Sequence, residues 1–397
     1  MHQAVFNFHD VVLLMTAILC TFFALLLLIT NPPHNVSNYF LAAFLITHAC
    51  IPLNELILWG ATFKILIREN APQLNFIFGF SYYLDAALLY FYVKSLVFRD
   101  FQLLRKDAIH LLPLGVYALF MLLAFYRQPL TVQIDWVTNE TFTYSRGYVS
   151  LELVCKIMRM FYCIACLQLI LKYKDILKAT RSNIEKIDVL WLKLLVIGFL
   201  IVTIMETLLS LSKMVGVFFD YAFQHYDFNI YEIIGLSSYY ALFILVSTLV
   251  FTSMRYFVNF ETIKQKDKDL LKKPPQEKLL NPSLAENIMQ MMRTKKPHLQ
   301  PDITLEILSE TLEMSTKDLS MLINRHFNKN FWEFINDYRI EEAKQLLISS
   351  KHESKTITDI YLEVGFNSKS VFNTFFKKLV GITPSDYRQS TLKAKRP

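Results

Sequence analysis

The chain has 397 residues, 53% of them hydrophobic and 19% charged, with a formal net charge of +7 and a mean hydropathy of +0.32. Soluble globular chains carry nearer a quarter of charged residues, so the composition argues against a wholly soluble protein and for a membrane portion. The five cysteines all sit inside apolar runs, which excludes a secreted disulfide framework.

The opening MHQAVFNFHD has no Lys or Arg ahead of the first apolar run, so a cleaved signal peptide is not expected. Seven stretches reach the roughly 20 apolar residues that a membrane-crossing helix needs. They run over roughly residues 10–30, 38–59, 76–98, 108–126, 148–171, 189–213 and 231–254. The first, VVLLMTAILCTFFALLLLIT, and the last are the clearest, whereas Glu152, Lys156 and Arg159 interrupt the fifth. Helices buried in a large soluble core keep a polar face that these runs lack. Cys163 and Cys166 form a C-x-x-C inside FYCIACLQLI, where they read as small buried hydrophobes rather than a redox or metal pair.

Four ionisable residues fall within the spans: His48 and Glu55 in the second, Asp85 in the third and Glu206 in the sixth. Charges at such depth face a bundle interior or an aqueous cavity. They serve ligand or ion sensing, or an interhelical hydrogen bond, or they mark a span end set too far along the chain, and the residues alone do not decide among these. Between spans four and five, QIDWVTNETFTYS alternates apolar and polar residues about Thr138-Asn139-Glu140, which predicts a small hairpin connector.

Loop charge sets orientation. Arg99, Arg105 and Lys106 follow span three; Lys172, Lys174, Lys178, Arg181 and Lys186 follow span five; Arg255, Lys264, Lys266 and Lys268 follow span seven. The alternate loops carry fewer cations: Lys64 and Arg68, then Arg127 and Arg146, then Lys213. The positive-inside rule therefore places the N-terminus outside and the tail in the cytoplasm. An odd number of spans agrees with that outcome.

Past span seven the chain turns charged. From Phe257 onward it holds 23 of the 41 Lys and Arg and 18 of the 34 acids, a modest excess that permits nucleic-acid binding. Residues 255–283 read as a juxtamembrane helix and a linker interrupted by Pro274-Pro275, with basic residues suited to anionic lipid heads. A helix then runs from about Pro282, with Ser283 as its cap and Leu284, Ile288, Met291 and Met292 on one face. Asp302 is expected to cap ITLEILSETLEM, whose Leu305, Leu308 and Leu312 form a stripe. Ser315 caps STKDLSMLINRHF, where Leu319, Leu322, Ile323 and Phe327 point inward. Lys317, Ser320, Met321 and Asn324 take its other face at i, i+3, i+4, i+7. A helix, a short turn and a second helix with a polar outer stripe suit a major groove.

The pattern recurs. A joining helix spans FWEFINDYRIEEAKQLLIS, and TITDIYLEVGF ends at Gly365, whose freedom at positive φ allows a helix stop and tight turn. In SKSVFNTFFKKLV, Val371, Phe372, Phe375, Phe376 and Leu379 form the buried side, making the aromatics core rather than base-stacking platforms. Ser370, Asn373, Thr374 and Lys377 form the exposed side.

Residues from about 284 to 390 resemble the AraC/XylS-type DNA-binding domain. Ile357, Ile360, Gly365, Phe366, Phe372, Phe376, Lys377, Gly381, Thr383, Pro384, Tyr387 and Arg388 stand in register with its signature. Leu308, Ser315, Leu319, Phe327, Phe331, Tyr338, Arg339, Ala343 and Leu347 match the first helix-turn-helix and the linking helix. The chain departs at Tyr361 and Ser309, where alanine is usual, and at Glu313 and Asn328, where glycine is usual. The resemblance implies a transcription factor placing two recognition helices in successive major-groove segments about one helical turn (~34 Å) apart. Base readers are expected among Lys317, Ser320, Met321, Asn324, Lys369, Ser370, Asn373 and Thr374. Phosphate contacts are expected from Arg325, Lys377, Lys378 and Arg388.

The expected whole is all-α: a seven-helix transmembrane sensor (1–254), the juxtamembrane linker (255–283) and a cytoplasmic double helix-turn-helix domain (284–397). It is read as a multi-pass protein of the cell's inner membrane, acting as a homodimer on double-stranded DNA under control of an unidentified ligand. No glycine-rich phosphate loop, H-E-x-x-H or G-x-S-x-G is present, so neither an enzyme nor a cofactor or metal site is expected. The alternative is a transporter with a gene-regulatory tail, although paired discontinuous spans are not seen.

Overall fold

The computed structural model describes residues 7–30, 36–98, 100–184, 190–219, 230–256, 267, 270, 282–348 and 355–395. Among them the protein is all-α, with no strand beyond isolated bridges. It divides into two compact units, Met1–Ile170 with Val189–Phe260, and Leu171–Asp188 with Glu261–Pro397. The linker expected over 255–283 lies for the most part outside the described residues.

The first unit contains α1 (Phe8–Thr30), α2 (Val36–Trp59), α3 (Phe63–Asn70), α4 (Asp85–Val97), α5 (Leu112–Met121), α6 (Leu130–Thr138), α7 (Arg146–Thr180, the part through Ile170), α8 (Leu190–Phe218) and α9 (Ile230–Tyr256). Among the described residues, seven helical stretches are long and apolar enough to cross a membrane: Phe8–Ile29, Val36–Trp59, Pro72–Val97, Arg105–Tyr126, Arg146–Thr180, Leu190–Phe218 and Ile233–Thr252. Each overlaps one expected span. Cys163 and Cys166 are both buried and free.

The expected hairpin is instead α6 followed by a turn at Glu140. Pro129 stands just ahead of α6, and Gln133 and Val137, four residues apart, are both buried. That spacing puts them on one helical face, which overrides the local period-two alternation. Trp136 and Phe142 stack with centroids 5.6 Å apart. Glu140 adopts φ 58° and accepts from Lys64 at 2.6 Å and Arg68 at 3.2 Å.

The charges interrupting the fifth span are paired inside the bundle. Arg159, 2% exposed, donates to Asp85 at 2.9 Å and 3.2 Å and to Glu206 at 2.5 Å. Lys156 reaches the same Glu206 oxygen at 2.9 Å, and Lys213 reaches Glu152 at 2.9 Å. His48 Nδ1 lies 3.5 Å from Asp85. Glu152, Lys156 and Arg159 recur at i, i+4 and i+7, so one face of α7 carries all three inward.

The second unit holds α10 (Pro282–Thr294), α11 (Leu305–Thr311), α12 (Thr316–His326), α13 (Phe331–Ile348), α14 (Ile357–Glu363), α15 (Lys369–Val380) and α16 (Pro384–Lys395). Its core has two lobes joined through α13. Phe331, Phe334 and Ile335 pack with α10, α11 and α12, while Ile340, Ala343 and Leu347 pack with α14 and α15. On α10 it is Ala285, not Leu284, that joins Ile288 and Met292 in the core, because 285, 288 and 292 are spaced i, i+3, i+7. Side-chain capping explains the short helices: Ser315 accepts from Asp318 N, Thr356 from Asp359 N and Thr383 from Asp386 N. The cap of α11 is Thr304, which accepts from Ile307 N at 3.2 Å, rather than Asp302. Helix formation begins two residues later than the apolar pattern suggested.

Removing one partner of a buried ion pair leaves an uncompensated charge, at about 3–5 kcal/mol, whereas removing both signs is far milder. Arg159→Ala should therefore destabilise the detergent-solubilised protein by about that amount. Arg159→Met with Asp85→Asn, which keeps the Lys156–Glu206 pair, should cost distinctly less. Denaturant unfolding followed by near-UV circular dichroism compares the two.

Candidate nucleic-acid interface and buried polar cluster

Two helix pairs build the candidate interface. In α11–α12 the turn passes through Glu313 at φ 54°, and the chain leaves α12 through Asn328 at φ 52°. Both positions thus keep the left-handed backbone for which glycine is usual, at a cost of about 1–2 kcal/mol for a side-chain-bearing residue. In α14–α15 the turn uses Gly365 at φ 92° and the stop Gly381 at φ 87°. A Cβ on Gly365 would meet the Leu299 carbonyl at 2.9 Å and Arg339 Nε at 3.0 Å, so this turn has no room for a side chain. Tyr361 is accommodated at the core edge, its ring 6.0 Å from Phe372. Ser309 is buried and donates to the Glu306 carbonyl at 2.8 Å.

Lys317 and Asn324 are exposed on α12 and Met321 half-buried, but Ser320 is buried, where it accepts from Asn324 Nδ2 at 3.3 Å. The outer stripe of α12 is therefore narrower than expected. Arg325 is half-buried. On α15, Lys369, Ser370, Thr374, Lys377 and Lys378 are exposed and Asn373 half-buried. Phe372, Phe375 and Phe376 are core, whereas Leu379, on the same helical face but in the last turn of α15, is 44% exposed. Lys378 Nζ lies 3.6 Å from Glu333. Arg388 donates to the Lys355 carbonyl at 2.8 Å, so it ties α16 to the start of α14. The Ser368 side chain makes no cap bond at the start of α15, so its first backbone N–H groups suit a phosphate oxygen.

Arg339 anchors the unit from the middle of α13. Its fully buried guanidinium donates to the carbonyls of His298 (2.7 Å), Gln300 (2.9 Å) and Pro301 (3.1 Å) and to Asn336 Oδ1 (3.1 Å). It also donates to Asn183 Oδ1 at 3.0 Å and Ser182 Oγ at 3.2 Å. These last two belong to a strap, residues 181–183, that directly follows α7 and belongs to the same compact unit. Arg181 bridges Thr304 in antiparallel fashion. Ser182 Oγ donates to the Pro301 carbonyl at 3.3 Å, and Asn183 Nδ2 donates to that carbonyl and to the Gly365 carbonyl at 3.2 Å. The strap thus touches the entry to the first helix pair, the linking helix and the turn of the second pair, and leaves Lys317, Asn324, Ser370 and Thr374 uncovered. Sequence reasoning missed it. Its only signal in the sequence is the polar end of the loop after span five.

The four candidates within the apolar spans come together as two neighbouring groups. His48, Asp85 and Glu206 converge on Arg159. Glu55 instead accepts from Tyr82 Oη at 2.5 Å on the wall of a cavity. Lys156 and Arg159, the cations of this cluster, were seen in the sequence only as interruptions. No group of His, Cys, Asp and Glu able to hold a metal ion occurs among the described residues.

Residues 308–390 match a family model described as a helix-turn-helix domain, and they form an AraC-type helix-turn-helix domain. Over 105 residues the chain is 29% identical to the uncharacterized HTH-type transcriptional regulator YdeC of Bacillus subtilis (strain 168), covering 26% of this chain and 35% of that one. Over 91 residues it is 36% identical to an uncharacterized HTH-type transcriptional regulator of Staphylococcus aureus (strain COL), covering 23% of this chain and 12% of that one. The chain thus spans about a third and about an eighth of these relatives' lengths. No solved structure matches it. The class is a transcriptional regulator's DNA-binding domain, joined in this chain to a helical bundle with seven candidate spans.

His298, packed against Tyr338, is 2% exposed, and neither ring nitrogen has a hydrogen-bond partner. Burial pushes its imidazole down to about 4; Glu342 opposes that, and Arg339 and Lys296 reinforce it. The unfolded chain therefore binds more protons between the ordinary value of 6.5 and about 4, and stability falls as pH drops through that window. His298→Phe should leave stability at neutral pH unchanged or higher and flatten this acid limb. Thermal unfolding at stepped pH checks both.

Proposed function

We propose that the chain is a one-component transcriptional regulator of the cytoplasmic membrane, with its N-terminus outside and its helix-turn-helix domain in the cytoplasm. Ile18, Phe22, Phe161, Leu208 and Ile244 are all more than half exposed on the helical bundle. An exposed apolar belt of this kind suits lipid and is a liability in water. The loop cations place the same ends of the spans inward as the DNA-binding domain requires.

The observation that carries the reading is the strap. The residues following α7 are hydrogen-bonded into the domain that would read DNA, so a displacement of α7 would reach both helix pairs. A ligand would act by binding two arrangements of the bundle with different affinity. The strap lies on the elements that set the two recognition helices against each other, so engagement would tune the spacing presented to a bipartite operator.

Operator fragments recovered by chromatin capture provide the DNA for testing. Full-length protein in nanodiscs should bind them with affinity falling steeply as salt rises. Lys317→Ala with Asn324→Ala, or Ser370→Ala with Thr374→Ala, should each weaken specific binding about 5- to 100-fold. Retained affinity in both pairs, or a C-terminal tag digested by protease outside intact cells, overturns the reading. Ser182→Ala with Asn183→Ala should leave folding intact and uncouple a target-promoter reporter from growth conditions to which the wild type responds. A reporter that still tracks those conditions removes the strap from the signal path.

A further inference from the structure

The first unit encloses a cavity of ≈ 160 Å³ at one end of its helices. Trp59 and the tyrosines Tyr82, Tyr83, Tyr117, Tyr148 and Tyr239 line it, together with Asn54 and Glu55 of α2. Two cations also reach the wall, and each is already matched. Lys213 pairs with Glu152, and Lys156 with Glu206. Arg159 divides itself between Glu206 and Asp85, and His48 stands beside Asp85. Four carboxylates, Glu55, Asp85, Glu152 and Glu206, thus face three permanent cations. Glu55 is the carboxylate bonded to a phenol, at 2.5 Å from Tyr82 Oη.

A second observation points the same way. Asn54 is 3% exposed, lines the cavity, and its Oδ1 has no donor. A buried acceptor without a donor costs about 1–3 kcal/mol, which an incoming N–H would relieve. The rings already show what they favour. Lys156 Nζ lies 4.5 Å from the Tyr82 centroid, and Lys213 Nζ lies 5.8 Å from that of Tyr148. Tyrosine faces attract cations.

We propose that this cavity binds a small organic cation, an amine or quaternary ammonium on a compact apolar or aromatic body. Glu55 supplies the counter-charge, the tyrosine faces enclose the cationic head, and Asn54 Oδ1 accepts from an N–H where the ligand carries one. An anion would meet Glu55 and Glu152 with both wall lysines already engaged. The cavity lies by the end of α2, the start of α7 and the end of α8, which the proposed topology turns outward. This assignment rests on the sensor reading for its biological role, although not for its chemistry.

The probes are tyramine and choline, with 4-hydroxyphenylacetate as the ring-matched anion, titrated calorimetrically into full-length protein in nanodiscs. Saturable binding of tyramine or choline is expected, with the acid at least about tenfold weaker. Glu55→Gln keeps the size and the Tyr82 bond but should lose about tenfold or more in affinity, the worth of one charge-assisted hydrogen bond. Asn54→Asp, which adds a charge, should gain affinity, and it decides the matter if Glu55→Gln fails to fold. No binding of either cation at millimolar concentration, equal binding of the acid, or unchanged affinity in both variants overturns the assignment. An amine that binds but leaves the target promoter unmoved keeps the site and overturns the sensor reading. A promoter that responds to conditions while neither cation binds does the reverse.

Discussion

The DNA-binding unit depends on one guanidinium placed where no water can reach it. Arg339 comes from the middle of α13, between the residues that pack into each lobe, and it satisfies carbonyls at 298, 300 and 301. Those carbonyls belong to the segment that leads into the first helix pair. The same group lies against the Phe366 ring, 5.6 Å from its centroid, and under the Gly365 turn. A planar fork of five donors can hold several diverging acceptors at once, and a lysine cannot. Gly365 follows from this crowding: the space a Cβ would occupy is taken by Arg339 Nε and by the Leu299 and His298 carbonyls.

Arg159 meets the corresponding constraint in the other unit. An arginine within an apolar bundle needs its charge answered nearby, and Asp85 and Glu206 answer it from α4 and α8. Charges interrupt the fifth span because its helix carries this pairing. The interruptions fall on one face at helical spacing, and the opposite side retains exposed Val154 and Phe161. Hydropathy averages over both faces and so could not distinguish a paired stripe from a broken span.

Much of the architecture was legible because it rests on local chemistry. Apolar length marked the spans, and Ser315 and Gly381 marked one helix start and one stop. The inward faces of α12 and α15 followed from 3.6-residue spacing, except that Ser320 turned in at the edge of its face and Leu379 turned out in the last turn of its helix. What could not be read depends on residues far apart in sequence. Ser182 and Asn183 meet Arg339 across more than 150 positions, and no spacing rule foretells that. The helix over 130–138 was missed for a related reason. Its alternating residues satisfy two periods, and burial of Gln133 and Val137 decides between them.

The two places where polar groups are concentrated share α7. Tyr148, Glu152 and Lys156 line the cavity, and the strap begins one residue beyond Thr180. On the proposed reading this helix carries the signal, and the magnitudes are compatible. The strap's contacts are a handful of hydrogen bonds, each with a net worth of about 0.5–1.5 kcal/mol, or more where the charged guanidinium takes part. Coupling between sites in proteins is typically about 1–3 kcal/mol, so the loss of one or two of these bonds would be enough to shift a balance between two states. A large apolar interface in its place would lock one state. Arg339 keeps its other partners, the backbone carbonyls and Asn336, when the strap departs, so release would leave the domain folded. A contact that can be lost without unfolding is what a switch requires, and the neutral, polar composition of residues 182 and 183 provides it.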